Sequence, residues 1–86
     1  MYTVTWDIPA LDELADLYVD ADPDERERMA SGVEALNRRL ALHPMEEGES
    51  REDDARLTFI ALLMVRFRLD LMTDSVTVAA VDRYGR

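Results

Sequence analysis

The chain has 86 residues, a formal net charge of −9 and 48% hydrophobic residues, which suits one folded domain, residues 1–86, with a single core. It contains no cysteine, so disulfide frameworks and thiolate zinc sites are excluded. The acidity argues against tight non-specific binding to nucleic acid, which normally requires a basic domain.

The opening residues predict no targeting signal. The opening stretch MYTVTWDIP has neither a basic start nor an apolar core, so we expect no signal peptide. The longest apolar run, residues 59–65, is too short to span a bilayer. We therefore expect a cytoplasmic protein with no membrane partner.

A strand is predicted first, because residues 2–6, YTVTW, alternate apolar side chains with threonines. Asp7 and Pro9 suit the start of a helix. In that helix the apolar side chains of residues 11–18 recur at helical spacing. The chain therefore begins with a strand that leads directly into an amphipathic helix.

A second helix is predicted to begin with a capping box. Asp22 takes the cap position, Pro23 is the first helical residue, and Glu25 lies three residues after the cap. This helix is expected to end near His43, because Pro44 cannot continue it. The two helices therefore form an antiparallel hairpin with a very short turn.

Acidic residues dominate the first helix and its end. Asp12, Asp16 and Asp20 lie on one face, which is typical of a solvated surface; the alternatives are a weak cation site or a patch for a basic partner. The segment 20–25, DADPDE, does not fit a calcium loop, because no glutamate closes it at the twelfth position, Ser31. Helix capping explains this segment better.

Three strands are predicted after an acidic loop at residues 44–54. The periodicity changes to two in residues 56–60, 65–69 and 76–81, and short connections between them indicate an antiparallel meander. The element order is β-α-α-β-β-β. This order predicts an α+β fold with the helical hairpin on one face of a small, mostly antiparallel sheet.

All ten basic residues are arginines, and several fall on the predicted strands. If the apolar residues of segment 65–69 pack against the helices, Arg66 and Arg68 point to the opposite face. Arg56 and Arg83 are expected to reach that same face. Such a face holds phosphate or carboxylate groups well; the plain alternative is the solvated side of an antiparallel sheet.

Single residues with possible chemistry are few. Tyr84 stands beside Arg83, where it would stack a base or hold a phosphate, or pack as a terminal tyrosine. His43 is the only histidine. Its position at the C-terminal end of a helix accounts for its presence, so no metal-binding role is inferred for it. No phosphate-cradling glycine loop or Ser-His-acid arrangement occurs. We therefore expect no metal and no cofactor.

Several stretches resemble the RelE/ParE family of type II toxin–antitoxin toxins over nearly the whole chain. The stretches, in chain order, are YTVTW, DELADLY, RRLALHP, GESR, ARLTF, VRFRLD and SVTVAAV. The GESR loop is most similar to that of a subgroup of small RelE-like proteins. The resemblance implies a cognate antitoxin as partner, and we expect the toxin itself to be a monomer or a homodimer.

The resemblance implies two kinds of action. RelE-branch toxins are ribosome-dependent mRNA endonucleases that use no metal, with basic residues on the sheet face and an aromatic residue near the C-terminus. ParE-branch toxins bind and inhibit DNA gyrase without that set; an inactive interaction protein is the third possibility. Met64 stands where the third strand of RelE toxins usually has arginine. The candidate catalytic residues are Arg56, Arg66, Arg68, Arg83 and Tyr84.

Overall fold

The computed structural model describes residues 1–50 and 55–84, so the acidic end of the predicted loop lies outside the described residues. A 3₁₀ turn, Pro44–Glu46, joins the second helix to the later strands. No helix in the described ranges is long and apolar enough to cross a membrane. The elements are β1 (Thr3–Trp6), α1 (Ile8–Asp20), α2 (Pro23–Leu42), β2 (Glu49–Ser50), β3 (Ala55–Ile60), β4 (Leu63–Asp70) and β5 (Ser75–Arg83).

The strands form one sheet in the order β1-β5-β4-β3-β2. β1 and β5 are parallel, and the remaining neighbours are antiparallel. The predicted α+β fold, a helical hairpin on one face of a mostly antiparallel sheet, is confirmed. The sequence does not predict β2, because two exposed residues show no periodicity.

The predicted capping box starts α2. The Asp22 carboxylate accepts a hydrogen bond from the Glu25 N–H at 2.8 Å, and the Glu25 carboxylate accepts one from the Asp22 N–H at 3.1 Å. Pro23 opens the helix and His43 follows its last turn. Only residues 21 and 22 separate α1 from α2, so the hairpin turn is as short as predicted.

The core lies between the sheet and the two helices. The Trp6 indole N–H donates to Asn37 Oδ1 at 2.9 Å, which ties β1 to α2. Each large apolar side chain that is fully buried stabilises the fold by about 1.5–3 kcal/mol. The buried core residues are Ala10, Leu14, Ala21, Met29, Leu36, Leu40, Ile60, Leu63, Val65, Phe67, Val76, Val78 and Val81.

Candidate functional site

The two faces of the sheet differ sharply. On β4, Val65 and Phe67 are fully buried against the helices, while Arg66 and Arg68 are exposed. Because successive side chains of a strand alternate, both guanidinium groups lie on the face away from the helical hairpin, as predicted. We call this face the open face. Its central strands contribute Ala55, Leu57, Phe59, Met64, Arg66, Arg68, Thr77 and Ala80.

The neighbours of Arg66 and Arg68 on the adjacent strands are apolar or bear a hydroxyl group. Arg66 stands between Leu57 of β3 and Ala80 of β5, and Arg68 stands beside Thr77. Within the described ranges neither arginine makes a hydrogen bond or an ion pair. Residues two apart on a strand are separated by about 6.6 Å. The pair is therefore able to contact adjacent anionic groups of one ligand.

Arg56 does not lie on the open face, which corrects the prediction. In the register it stands opposite a fully buried residue of β4, so its side chain is on the helix side. There it holds the turn before β2. Its guanidinium donates to the carbonyl oxygens of Glu47 (2.9 Å), Met45 (3.1 Å) and Gly48 (3.2 Å) and to Ser50 Oγ (2.9 Å).

The error on Arg56 has a physical cause. Segment 56–60 carries apolar side chains at both parities, so periodicity does not say which set faces the helices. The structure buries Thr58 and Ile60 on the helix side and leaves Phe59 45% exposed on the open face. Thr58 is accommodated because its hydroxyl donates to the Glu47 carboxylate at 2.7 Å.

Arg83 is also on the helix side, contrary to the prediction. It stands opposite Leu63, a fully buried core residue. Its Nη2 donates to Glu25 Oε2 at 2.9 Å. This hydrogen bond, with the backbone bond from Asp22, holds the pKa of the Glu25 carboxyl below its usual range. Arg83 therefore joins the end of β5 to the start of α2.

Tyr84 is far from the arginine pair. Its ring packs on Phe59, with ring centroids 4.5 Å apart and planes inclined by 48°, and its N–H donates to the Leu62 carbonyl at 2.7 Å. Leu62 comes just before β4 and precedes Arg66 by four residues, so the backbones of Tyr84 and Arg66 are separated by about 13 Å along the strand direction. The Tyr84 ring itself lies on Phe59, which pairs with Met64 on the open face.

The five candidate residues thus do not all meet at one point, although Arg56 and Arg68 line one groove of about 800 Å³. Arg66 and Arg68 stand together on the open face, Tyr84 lies at its far end, and Arg56 and Arg83 hold the fold on the other side. Residues 1–50 and 55–84 contain no group of three or more His, Cys, Asp or Glu side chains placed to hold a metal ion.

A groove of about 530 Å³ runs between α1 and the open face; we call it the α1 groove. Its apolar surface comes from side chains of α1, β3, β4 and β5, and the guanidinium of Arg66 also lines it. The sequence analysis missed this groove, because it depends on how α1 packs against β5. Its apolar side chains include Leu17, Leu57 and Met64, and its carboxylates are Glu13, Asp16, Asp20 and Asp82.

Comparison with known proteins gives solved structures only, since no protein-family model and no curated protein matches the sequence. The chromosomal ParDE TA system from P. aeruginosa contains a chain that is 16% identical, with a TM-score of 0.76 and coverage of 99% of this chain and 98% of that chain. The RelBE2 toxin–antitoxin complex from Mycobacterium tuberculosis contains a chain that is 20% identical, with a TM-score of 0.72. That match covers 99% of this chain and 93% of the other.

The intact RelBE toxin–antitoxin complex from E. coli is similar over 100% of both chains, at 17% identity and a TM-score of 0.66. The fold is therefore shared from end to end although the sequences have diverged widely. The isolated E. coli RelE toxin also matches, over 100% of this chain. The chain has the fold of the RelE and ParE toxins.

Proposed function

We propose that this protein is the toxin component of a type II toxin–antitoxin pair, with residues 1–86 as one toxin domain in the cytoplasm and a cognate antitoxin as its partner. The observation that carries the proposal is the end-to-end match of the fold, which covers 99–100% of this chain and 93–100% of the matched ParDE and RelBE chains.

The toxin acts by binding a macromolecular target through the open face, without chemistry of its own. Phosphodiester cleavage needs an acid, a base and a charge stabiliser within about 3 Å of the reacting atoms. Arg56 and Arg83 are occupied on the helix side, where their guanidinium groups hold the turn before β2 and the start of α2. The use of these two candidate residues in the scaffold supports the gyrase-binding alternative that the ParE resemblance implies.

Ribosome-dependent mRNA cleavage is the second candidate function. It is favoured by Arg66 and Arg68, which stay exposed and make no ion pair to the rest of the described chain. In that case the two guanidinium groups would hold and neutralise phosphates, and Tyr84 would stack a base or take part in proton transfer. The ribosome would have to supply the remaining groups.

Tightly controlled expression in a bacterial host distinguishes these actions. Growth is followed after induction, abundant transcripts are analysed by primer extension, and the DNA-damage response is recorded. Growth arrest with a DNA-damage response and intact transcripts supports the binding toxin. Arrest with in-frame mRNA cuts shows the nuclease instead. Normal growth with soluble, folded protein overturns the toxin assignment and leaves an interaction protein.

A further inference from the structure

The α1 groove has the surface of a peptide-binding site. Leu17 and Met64 are only partly buried, and Leu57, on the strand next to Met64, also lines the groove. The apolar surface continues along the open face to Phe59 and Tyr84, which are 45% and 54% exposed. Apolar surface of this kind, when it lies in a groove and is bordered by polar groups, marks a protein-interaction site.

The charges at the border of this groove are strongly unbalanced. Four carboxylates, Glu13, Asp16, Asp20 and Asp82, face one guanidinium, that of Arg66. No ion pair joins any of them within the described ranges. The internal hydrogen bonds of the acidic groups go to backbone instead, from the Val81 N–H to Glu13 and from the Arg83 N–H to Asp82.

These charges decide between the possible occupants. The carboxylates repel the phosphates of a nucleic-acid strand and the side chains of an acidic peptide, whereas basic side chains are attracted to them. The net charge of −9 on the chain adds long-range attraction for a cationic partner. Apolar side chains of the same segment would cover Leu17 and Met64.

We propose that the α1 groove binds a basic amphipathic segment of a partner protein. Arginine or lysine side chains of the segment contact the acidic border, and its apolar side chains lie on the base of the groove. Arg66 is the one basic side chain of the groove, so it is the contact for an acidic group of the bound segment. This contact fixes the direction in which the segment lies. This inference rests on the proposed function in one respect, namely that the binding partner is a protein.

Binding of designed peptides to the purified protein tests this inference without any toxicity assay, so its failure and the failure of the toxin proposal are distinguishable. The probe is a fluorescein-labelled amphipathic peptide of leucine and arginine, compared with one carrying glutamate for arginine and one carrying serine for leucine. Fluorescence anisotropy should show binding of the leucine–arginine peptide only, weakening as salt screens the charges.

A pair of matched double variants locates the site. Asp16→Asn with Asp20→Asn removes two carboxylates from the groove and should weaken binding by about tenfold. Asp12→Asn with Glu27→Gln makes the same charge change at exposed helix positions outside the groove and should leave the affinity within about twofold. Met64→Ser should weaken binding by a similar factor through the lost apolar contact.

Three results would overturn the proposal. One is equal affinity of the two double variants, which would show that total charge and not the groove attracts the peptide. Another is equally tight binding of the arginine peptides with and without leucine. The last is the absence of any binding by the leucine–arginine peptide at low salt, where the attraction is strongest.

Discussion

Arg83 at the end of β5 and Glu25 in the first turn of α2 form an ion pair, with Nη2 and Oε2 2.9 Å apart. The two residues are 58 positions apart in the chain. Glu25 is also the closing residue of the capping box, so one carboxylate fixes both the start of α2 and the last strand of the sheet. An arginine predicted to act on a substrate is therefore part of the scaffold.

The variant Arg83→Ala should lower the stability of the fold without removing an open-face contact. We expect a lower midpoint of urea unfolding, because β5 loses its tie to α2. Arg66→Ala is the matched control, since its guanidinium makes no bond to the rest of the described chain. Equal midpoints for the two variants would contradict a structural role for Arg83.

Arg56 should not tolerate replacement by lysine. Its planar guanidinium reaches three carbonyl oxygens and one hydroxyl of the turn at residues 45–50, and an ammonium group does not reproduce that geometry. We expect Arg56→Lys to lower the free energy of unfolding by about 1–2 kcal/mol. Arg68→Lys, at an exposed open-face position, should change it by less than about 0.5 kcal/mol.

Urea denaturation of the two lysine variants measures this difference. A loss in Arg68→Lys as large as that in Arg56→Lys would show that arginine is required on the open face for folding. It would then remove the distinction between scaffold and surface arginines on which the candidate site depends.

Two glycines should respond in opposite ways to alanine. Gly48 has φ of +71°, and a Cβ there would lie 2.4 Å from the Leu57 carbonyl oxygen. Gly48→Ala should therefore destabilise the protein by about 3 kcal/mol. At Gly32, within α2, the nearest atom to a Cβ would be the Ala61 Cβ at 3.4 Å, an ordinary contact, so Gly32→Ala should stabilise by about 0.5–1 kcal/mol.

Thermal unfolding of both glycine variants is the measurement. A stabilised Gly48→Ala would mean that the turn before β2 does not adopt its left-handed conformation in solution. A strongly destabilised Gly32→Ala would mean that α2 lies closer to the β3–β4 turn than the structure places it.

Local rules predicted most of the fold and the correct face for two of the four strand arginines, Arg66 and Arg68. The capping box at Asp22, the helix end at His43 and the alternation around Arg66 each follow from a few adjacent residues, and each was correct. Local rules did not predict which face of β3 packs against the helices. Leu57 and Ile60 lie on opposite faces of the strand, and both are apolar side chains that suit the core. Only the tertiary register, which places Arg56 opposite Phe67, resolves the ambiguity.

The position of Arg83 shows a second limit of the sequence. The alternation of side chains along β5 predicts the face of Arg83 only if the strand is regular throughout. The pairing of β4 with β5 is not regular, because its register shifts between Arg66 and Phe67. A bulge reverses the parity of every later residue on its strand. No sequence signal marks this bulge, because the residues of β5 at the bulge, Ala79 and Ala80, are alanines that fit either face.

Glu47 should make stability depend on pH. The hydrogen bond from Arg39, opposed by partial burial and aided by the bond from Thr58, holds the pKa of its carboxyl below the ordinary value of 4.5. Its contribution is therefore fully present above about pH 4.5 and is lost as the pH falls through the lowered pKa. The stability gap between the native protein and Glu47→Gln should close over that acidic range.

Urea denaturation between neutral and acidic pH measures this gap. Glu34→Gln is the control, because Glu34 is exposed and its oxygen lies 3.9 Å from Arg38, against 2.9 Å for Glu47 and Arg39. A gap for Glu47→Gln that widens on acidification would have the wrong sign and would contradict the ion pair.

Arg66→Ala with Arg68→Ala should abolish toxicity while leaving the fold intact. Both side chains are exposed and make no bond to the rest of the described chain, so their loss removes contacts with a target and little else. Growth after induction, with circular dichroism of the purified variant, separates the two effects. Arg28→Ala with Arg38→Ala removes two exposed arginines from α2 and should arrest growth as the native protein does. Arrest by the open-face variant would instead place the toxic surface elsewhere, because neither guanidinium would then be required for contact with the target.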